Sequence, residues 1–155
     1  MAHEEVKGCV ILKDLHYSVQ DNTWVKADGD IVTIGMTDIA QSLAGPILHA
    51  KTKGVGTSRK KGRPIATVES GKWVGPVKSP VAGEIVEVNE GLASDAQLIN
   101  RSPYKDGWVV KMKADNLAVD LSELTTGDAA VAAYKEKIEQ DGIECSHIDD
   151  TDTYD

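Results

Sequence analysis

Twelve of the fourteen glycines lie between Gly8 and Gly107, where they separate short runs rich in valine, isoleucine and threonine. Glycine weakens the interior of helices and strands, while β-branched side chains suit a pleated surface. A chain punctuated this way is confined to short strands joined by tight turns. Ile31, Val32, Thr33 and Ile34 form one run between Gly29 and Gly35, and residues 64–69 form another. In residues 81–88, Ile85, Val86 and Val88 are apolar and Glu84 and Glu87 polar. Residues 108–112 follow the turn pair Asp106-Gly107. The pattern predicts a β-sandwich or barrel rather than a parallel sheet alternating with helices.

Three helical segments flank this β core. Thr37-Asp38 caps residues 39–43, which Gly45-Pro46 ends. Ser94-Asp95 caps residues 96–100. Residues 128–140 hold four alanines, and Val131, Tyr134 and Ile138 form one apolar stripe before Asp141-Gly142. A chain of 155 residues is one domain in size. The expected domain is 1–142, with 143–155 an acidic, flexible tail.

The net charge of −8 is unevenly spread. Residues 49–63 hold six of the 17 basic side chains and no acid, so this stretch carries +6 and the remainder −14. An acidic body argues against general binding to nucleic acid or anionic membranes. No apolar stretch approaches the ~18 residues of a membrane span. The first residues match neither a secretory nor a transit signal, so a cytoplasmic protein is expected. Two cysteines, Cys9 and Cys145, cannot form a disulfide framework, and reduced thiols are the default there. The ends of a domain are often close, so the two could form a redox pair or help with sulfur transfer, with two buried or idle thiols the commoner reading. His3, Cys9, Cys145 and His147 lack familiar zinc spacing, so no metal is expected.

The segment Val68-Glu69-Ser70-Gly71-Lys72-Trp73-Val74 reads as two strands joined by a two-residue turn at Gly71-Lys72. Glycine in the first turn position would supply a positive φ. Lys72 would then stand at an exposed tip. A rigid hairpin tip suits the attachment of a long prosthetic arm, because both strands fix its root and its end moves freely. By spacing alone, an ordinary solvated lysine is the commoner reading.

The wider context changes that balance. Residues 31–41, Ile-Val-Thr-Ile-Gly-Met-Thr-Asp-Ile-Ala-Gln, are followed by Leu43-Ala44-Gly45 and the Glu69-Ser70-Gly71-Lys72 turn. Next come Ser79-Pro80-Val81-Ala82-Gly83 and then Asn100, Pro103-Tyr104 and Gly107-Trp108. In this order they resemble the lipoyl-bearing H-protein family of the glycine cleavage system, over roughly residues 17–134. The family's lipoylation turn is Glu-Ser-Val-Lys.

The resemblance implies a lipoyl-type barrel-sandwich hybrid, mainly β with flanking helices, and lipoic acid amide-linked to Lys72. It implies a carrier without its own active site, and a lipoate-attaching enzyme that reads Glu69 and Ser70; these residues otherwise merely end the strand. Several positions depart from the family. Trp73 stands where small residues are usual, either packing against the arm or closing the hairpin. The family's His-Glu-Trp is here Asn22-Thr23-Trp24, lacking the acid near the aminomethyl cargo. The basic stretch replaces an acid-rich connection.

That stretch lacks Walker spacing, so a phosphate loop is disfavoured. It is either an inert solvated loop or a partner-docking patch of Lys53, Arg59, Lys60, Lys61 and Arg63 leading into the hairpin. Hairpin and loop look more like the lipoate-binding proteins that accompany the heterodisulfide-reductase-like complex of sulfur-oxidising prokaryotes. The preferred expectation is therefore a lipoyl carrier of a sulfur intermediate for that complex. The alternatives are an aminomethyl carrier working with glycine cleavage enzymes and an unmodified protein-binding β-domain.

Overall fold

The structure is a computed structural model, described here for residues 2–147. It begins with a hairpin of β1 (His3–Val6) and β2 (Cys9–Leu12). There follow β3 (His16–Ser18), β4 (Thr23–Asp28), β5 (Ile31–Met36) and helix α1 (Asp38–Ala44). Next come β6 (Ile47–Thr52), β7 (Ser58–Arg59), β8 (Pro64–Ser70), β9 (Val74–Lys78) and β10 (Gly83–Val88). Two single-turn helices, α2 (Gly91–Ser94) and α3 (Leu98–Arg101), precede β11 (Val110–Ala114). The last elements are α4 (Leu117–Ser122), β12 (Thr125–Thr126) and α5 (Gly127–Asp141).

The larger sheet has the order β12-β3-β4-β5-β11-β10-β7, and a three-stranded sheet has the order β6-β8-β9. All pairings are antiparallel. The expected architecture, mainly β with flanking helices, is the one observed. Alternation along the strands explains the facing. In β8, Ile65, Ala66, Val68 and Ser70 are buried, while Thr67 and Glu69 face out. Val25, Ile34, Ile47, Val68, Ile85 and Met112 belong to one core. A second core joins the first hairpin, α1 and α5 through Ile11, Leu12, Tyr17, Trp24, Ile39 and Tyr134. No helix among the described residues is long and apolar enough to cross a membrane.

Three expectations need correction. Residues 96–100 are not one helix capped by Ser94-Asp95. Ser94 ends α2, and Asp95 instead pairs with Arg101, the last residue of α3. In α5 the buried stripe is Ala130, Tyr134 and Ile138, with Val131 only partly covered. Spacing of four residues, not three, faces this core, and a small alanine lets the helix approach closely.

The third correction concerns the cysteines, which are not free thiols: Cys9 and Cys145 form a disulfide across 136 residues, with Cα atoms 4.9 Å apart. The pair, the less favoured reading of the sequence, is the one observed. The turn at Gly142 (φ 63°) directs the chain back along α1, and Cys145 N donates to Lys7 O at 3.0 Å. The tail expected from 143 thus starts as a strap. Ile143 and Cys145 are buried, and Ser146 O accepts from Gln41 Nε2 at 2.9 Å. His147 Nε2 lies 2.9 Å from Asp38 Oδ2. The rest of that expected tail, 148–155, lies outside the described residues.

Candidate functional site

Lys72 stands at the tip joining β8 to β9. Ser70 N donates to Trp73 O at 2.8 Å, closing the turn around Gly71 and Lys72. The Ser70 hydroxyl is nearly buried and sits 3.4 Å from Trp73 O and 3.3 Å from Lys72 N. Ser70 thus shapes the turn from inside, whereas Glu69 faces solvent between His49 and Val74. Gly71 does not take the positive φ expected of it, and a Cβ there would meet open space. A valine fits this position, as in the family turn.

The lysine side chain is laid over the end of α1. Gly45 takes φ 79°, and a Cβ added to it would lie 3.0 Å from Lys72 Cε. Glycine therefore serves twice here: it accepts the left-handed backbone that ends the helix, and it leaves room for the lysine stem. Buried Asn100 holds this corner from below. Its Oδ1 accepts from Ile47 N at 2.9 Å, and its Nδ2 donates to Gly45 O at 2.9 Å and to Gln41 Oε1 at 3.1 Å.

At the other end of α1, Thr37 Oγ1 caps the helix by accepting from Ala40 N at 3.1 Å. Tyr104 Oη accepts from Asp38 N at 3.1 Å and donates to Val10 O at 2.5 Å. Burial pushes the Tyr104 pKa well up, keeping this hydroxyl a donor. Trp24 Nε1 donates to Pro103 O at 2.9 Å. The motif residues far from Lys72 in sequence thus brace the helix on which it rests.

Beside the tip is a cleft of about 200 Å³. Ala40 and Leu43 of α1 form one wall, Trp73 and Val77 another, and Asp21, Asn22 and Thr23 the rim. Trp73 is 39% exposed and covers Gly75, so its indole is a surface of the cleft rather than a core closure. Leu48 and Val74 are also exposed around the tip. Asp21 supplies an acid beside the neutral Asn22-Thr23 pair; its place in the sequence, one residue before the motif, was the only clue. Lys137 Nζ donates to Val19 O at 2.7 Å and to Asn22 Oδ1 at 3.0 Å, fixing this rim. Burial lowers the Lys137 pKa.

The basic residues are not beside the tip. Strand β8 runs from Pro64 to Ser70 between the two, about 20 Å at the usual rise. Lys61 is ion-paired with Glu123, and Arg59 is half-buried in β7 against β10. Lys53, Lys60 and Arg63 flank them in the same connection. Adjacent in sequence, the loop and the hairpin occupy opposite ends of one strand.

The family model described as "Glycine cleavage H-protein" matches residues 15–137. "Glycine cleavage system H protein 2" of Aquifex aeolicus is 48% identical over 92% of this chain and 89% of its own length. "Probable glycine cleavage system H protein 2" of Sulfurisphaera tokodaii is 40% identical over 92% and 98%. The crystal structure of a glycine cleavage system H protein from Mycobacterium marinum has a TM-score of 0.69 at 29% identity, covering 86% of this chain and all of that one. With hairpin, brace and cleft arranged as above, the chain belongs to the glycine cleavage H-protein family.

Proposed function

We propose that this protein is a non-catalytic carrier whose lipoyl arm is attached to Lys72 and presents an aminomethyl group to glycine cleavage enzymes. Members of this family carry lipoic acid on a lysine. The observation that supports Lys72 is its place at the hairpin tip, rooted by Ser70 and resting on Gly45. The residues present fit the group: the tip is open, and an apolar cleft lies beside it for an aliphatic chain. When attached, the lipoyl group supplies a dithiol–disulfide couple that takes up and releases cargo.

The chain's own residues do the positioning. Ser70 and Asn100 fix the root of the arm, and Trp73 and Leu43 give its chain a dry wall. Asp21 offers a carboxylate for a cationic cargo. Exposed Leu48 and Val74 form an apolar collar suited to the mouth of a partner's active site. Glu69, facing outward, is the side chain a lipoate-attaching enzyme can read.

A second cargo is favoured by one local observation. Asn22 and Thr23, beside Asp21 on the cleft rim, carry no charge, and the wall has Trp73, two features that suit an uncharged sulfur intermediate. On that reading the partner is a heterodisulfide-reductase-like complex. Intact mass after incubation with lipoate and a ligase tests the carrier: a lipoyl addition on Lys72 is expected, and none would defeat it. Glycine decarboxylase exchange with the lipoylated protein separates the cargoes. Robust exchange supports the aminomethyl reading; its absence, with the arm in place, favours sulfur.

A further inference from the structure

The disulfide and the lysine tip share one face of α1. Asp38, Ser42 and Gly45 are spaced i, i+4 and i+7, so they lie along a single stripe. Lys72 crosses Gly45 at one end. The strap occupies the rest: Ser42 Oγ lies 3.1 Å from both Ser146 O and Ser146 N, and His147 meets Asp38. Cys145 Sγ lies 3.8 Å from Asp38 O, while Cys9 is fully buried behind it. From Asp38 to Gly45 the helix rises about 10 Å. An acyl arm of lipoyl length extends roughly 9 Å beyond Lys72 Nζ, with bonds of about 1.5 Å, and the lysine stem adds its own swing.

Resting on the assignment of the arm to Lys72, we infer that the oxidised arm closes the Cys9–Cys145 disulfide in its own chain and so locks the strap onto α1. In the reduced chain the cross-link is absent, and residues 143–147 are held by the burial of Ile143 and Cys145, by hydrogen bonds to Lys7, Gln41 and Ser42, and by the His147–Asp38 pair. Cys145 is then the more accessible thiol, and Cys9, in β2, is the resolving one.

The chemistry balances within the molecule. The Cys145 thiolate attacks one sulfur of the oxidised arm, forming a Cys145–arm disulfide and releasing the other arm sulfur as a thiolate, which takes up a proton. The Cys9 thiolate then attacks Cys145 Sγ, and the remaining arm sulfur leaves and is protonated. Two cysteine thiols are oxidised to one disulfide, and one arm disulfide is reduced to a dithiol. The two protons lost by the cysteines equal the two gained by the arm. Buried structural disulfides resist reduction, so the exchange runs toward a closed strap and a reduced arm.

The test uses the full lipoylated chain, fully reduced, freed of reductant and kept anaerobic. Dihydrolipoamide dehydrogenase with excess NAD+ then oxidises the arm. If the cysteines refill it, the yield is about two NADH per chain rather than about one, since each dithiol supplies one electron pair. Alkylation and peptide mass mapping should find Cys9 joined to Cys145 in the lipoylated chain and free in a chain without the arm. A yield of one NADH with both cysteines alkylated overturns the inference. So does closure at the same rate in the arm-free chain, or a rate that rises with protein concentration, which would mean exchange between molecules. Failure to find any lipoyl mass beforehand defeats the carrier assignment itself, a separate and visible outcome. A Cys9→Ser chain adds a second readout: alkylation that caps the freed arm thiol should trap the Cys145–arm disulfide for peptide mapping, and its absence from the trapped peptides overturns the inference.

Discussion

Strand β8 begins at a basic connection and ends at the lysine turn, and its two ends are built differently. At the lysine end, the root of the side chain is braced. Ser70 closes the turn, Gly45 makes room, and Asn100 ties three backbone or side-chain groups beneath it. At the basic end, the backbone is tied to β10 while most of the charged side chains are left at the surface. Gly56 N donates to Ile85 O at 2.8 Å, Ile85 N to Thr57 O at 2.9 Å and Gly62 N to Ser79 O at 2.7 Å, and Lys61 meets Glu123, while Lys53 and Lys60 are exposed. Chemistry that needs an exact root is placed on the braced end. Charge, which acts over a Debye length of about 8–10 Å, needs only exposed side chains. A docking role for the loop therefore concerns partner surface well away from the mouth that receives the arm.

The sharpest contrast between the ends is all-or-none. Lys72→Arg should abolish lipoyl addition by intact mass, while replacing Lys53, Lys60 and Arg63 together by serine leaves it unchanged. A lipoyl group lost from the triple variant would mean that the ligase reads both ends. The next effect bears on the support of α1. Reducing Cys9–Cys145 opens a 136-residue loop. In the chain-entropy picture this costs about 4–5 kcal/mol, or a Tm drop on the order of 10 °C, visible in a thermal melt with and without reductant.

Asn100→Ala should come after that. It strands the Ile47 amide and the Gly45 carbonyl, costing roughly 2–4 kcal/mol in denaturant unfolding, with slower lipoylation as the turn loosens. Gly45→Ala should cost about 1 kcal/mol or more from its positive φ alone, whereas Gly71→Val should be nearly neutral. Equal effects would remove the distinction between a braced root and an open tip. The smallest change belongs to the basic end. Lys61→Ala should alter stability by at most about 1 kcal/mol, because its ion pair is exposed. The triple serine variant should instead lower the association rate with an acidic partner and flatten its salt dependence in stopped-flow mixing.

The sequence carried the strands well where alternation was strong. Residues 31–34, 64–69 and 81–88 all fall on or within a residue or two of β5, β8 and β10. The Thr37 cap and the Gly45 stop were readable because capping is local. Long-range packing was not. Nothing local to Cys9 names Cys145, and Asp21 enters the cleft only because β4 folds back beside α1. Gly71 misled for another reason: glycine permits a positive φ without requiring it. The basic loop misled because a strand separates in space what the chain places side by side. Lys72 was singled out by its turn and the order of distant motifs, and several of those motifs brace the helix beneath it.

The cross-link between Cys9 and Cys145 also makes the chain a covalent ring over most of its length. A protease that cut once between Lys60 and Lys61 would yield two polypeptides still travelling as one molecule. Only a reductant would release them, so a gel run without thiol would conceal the nick and one run with it would reveal two bands.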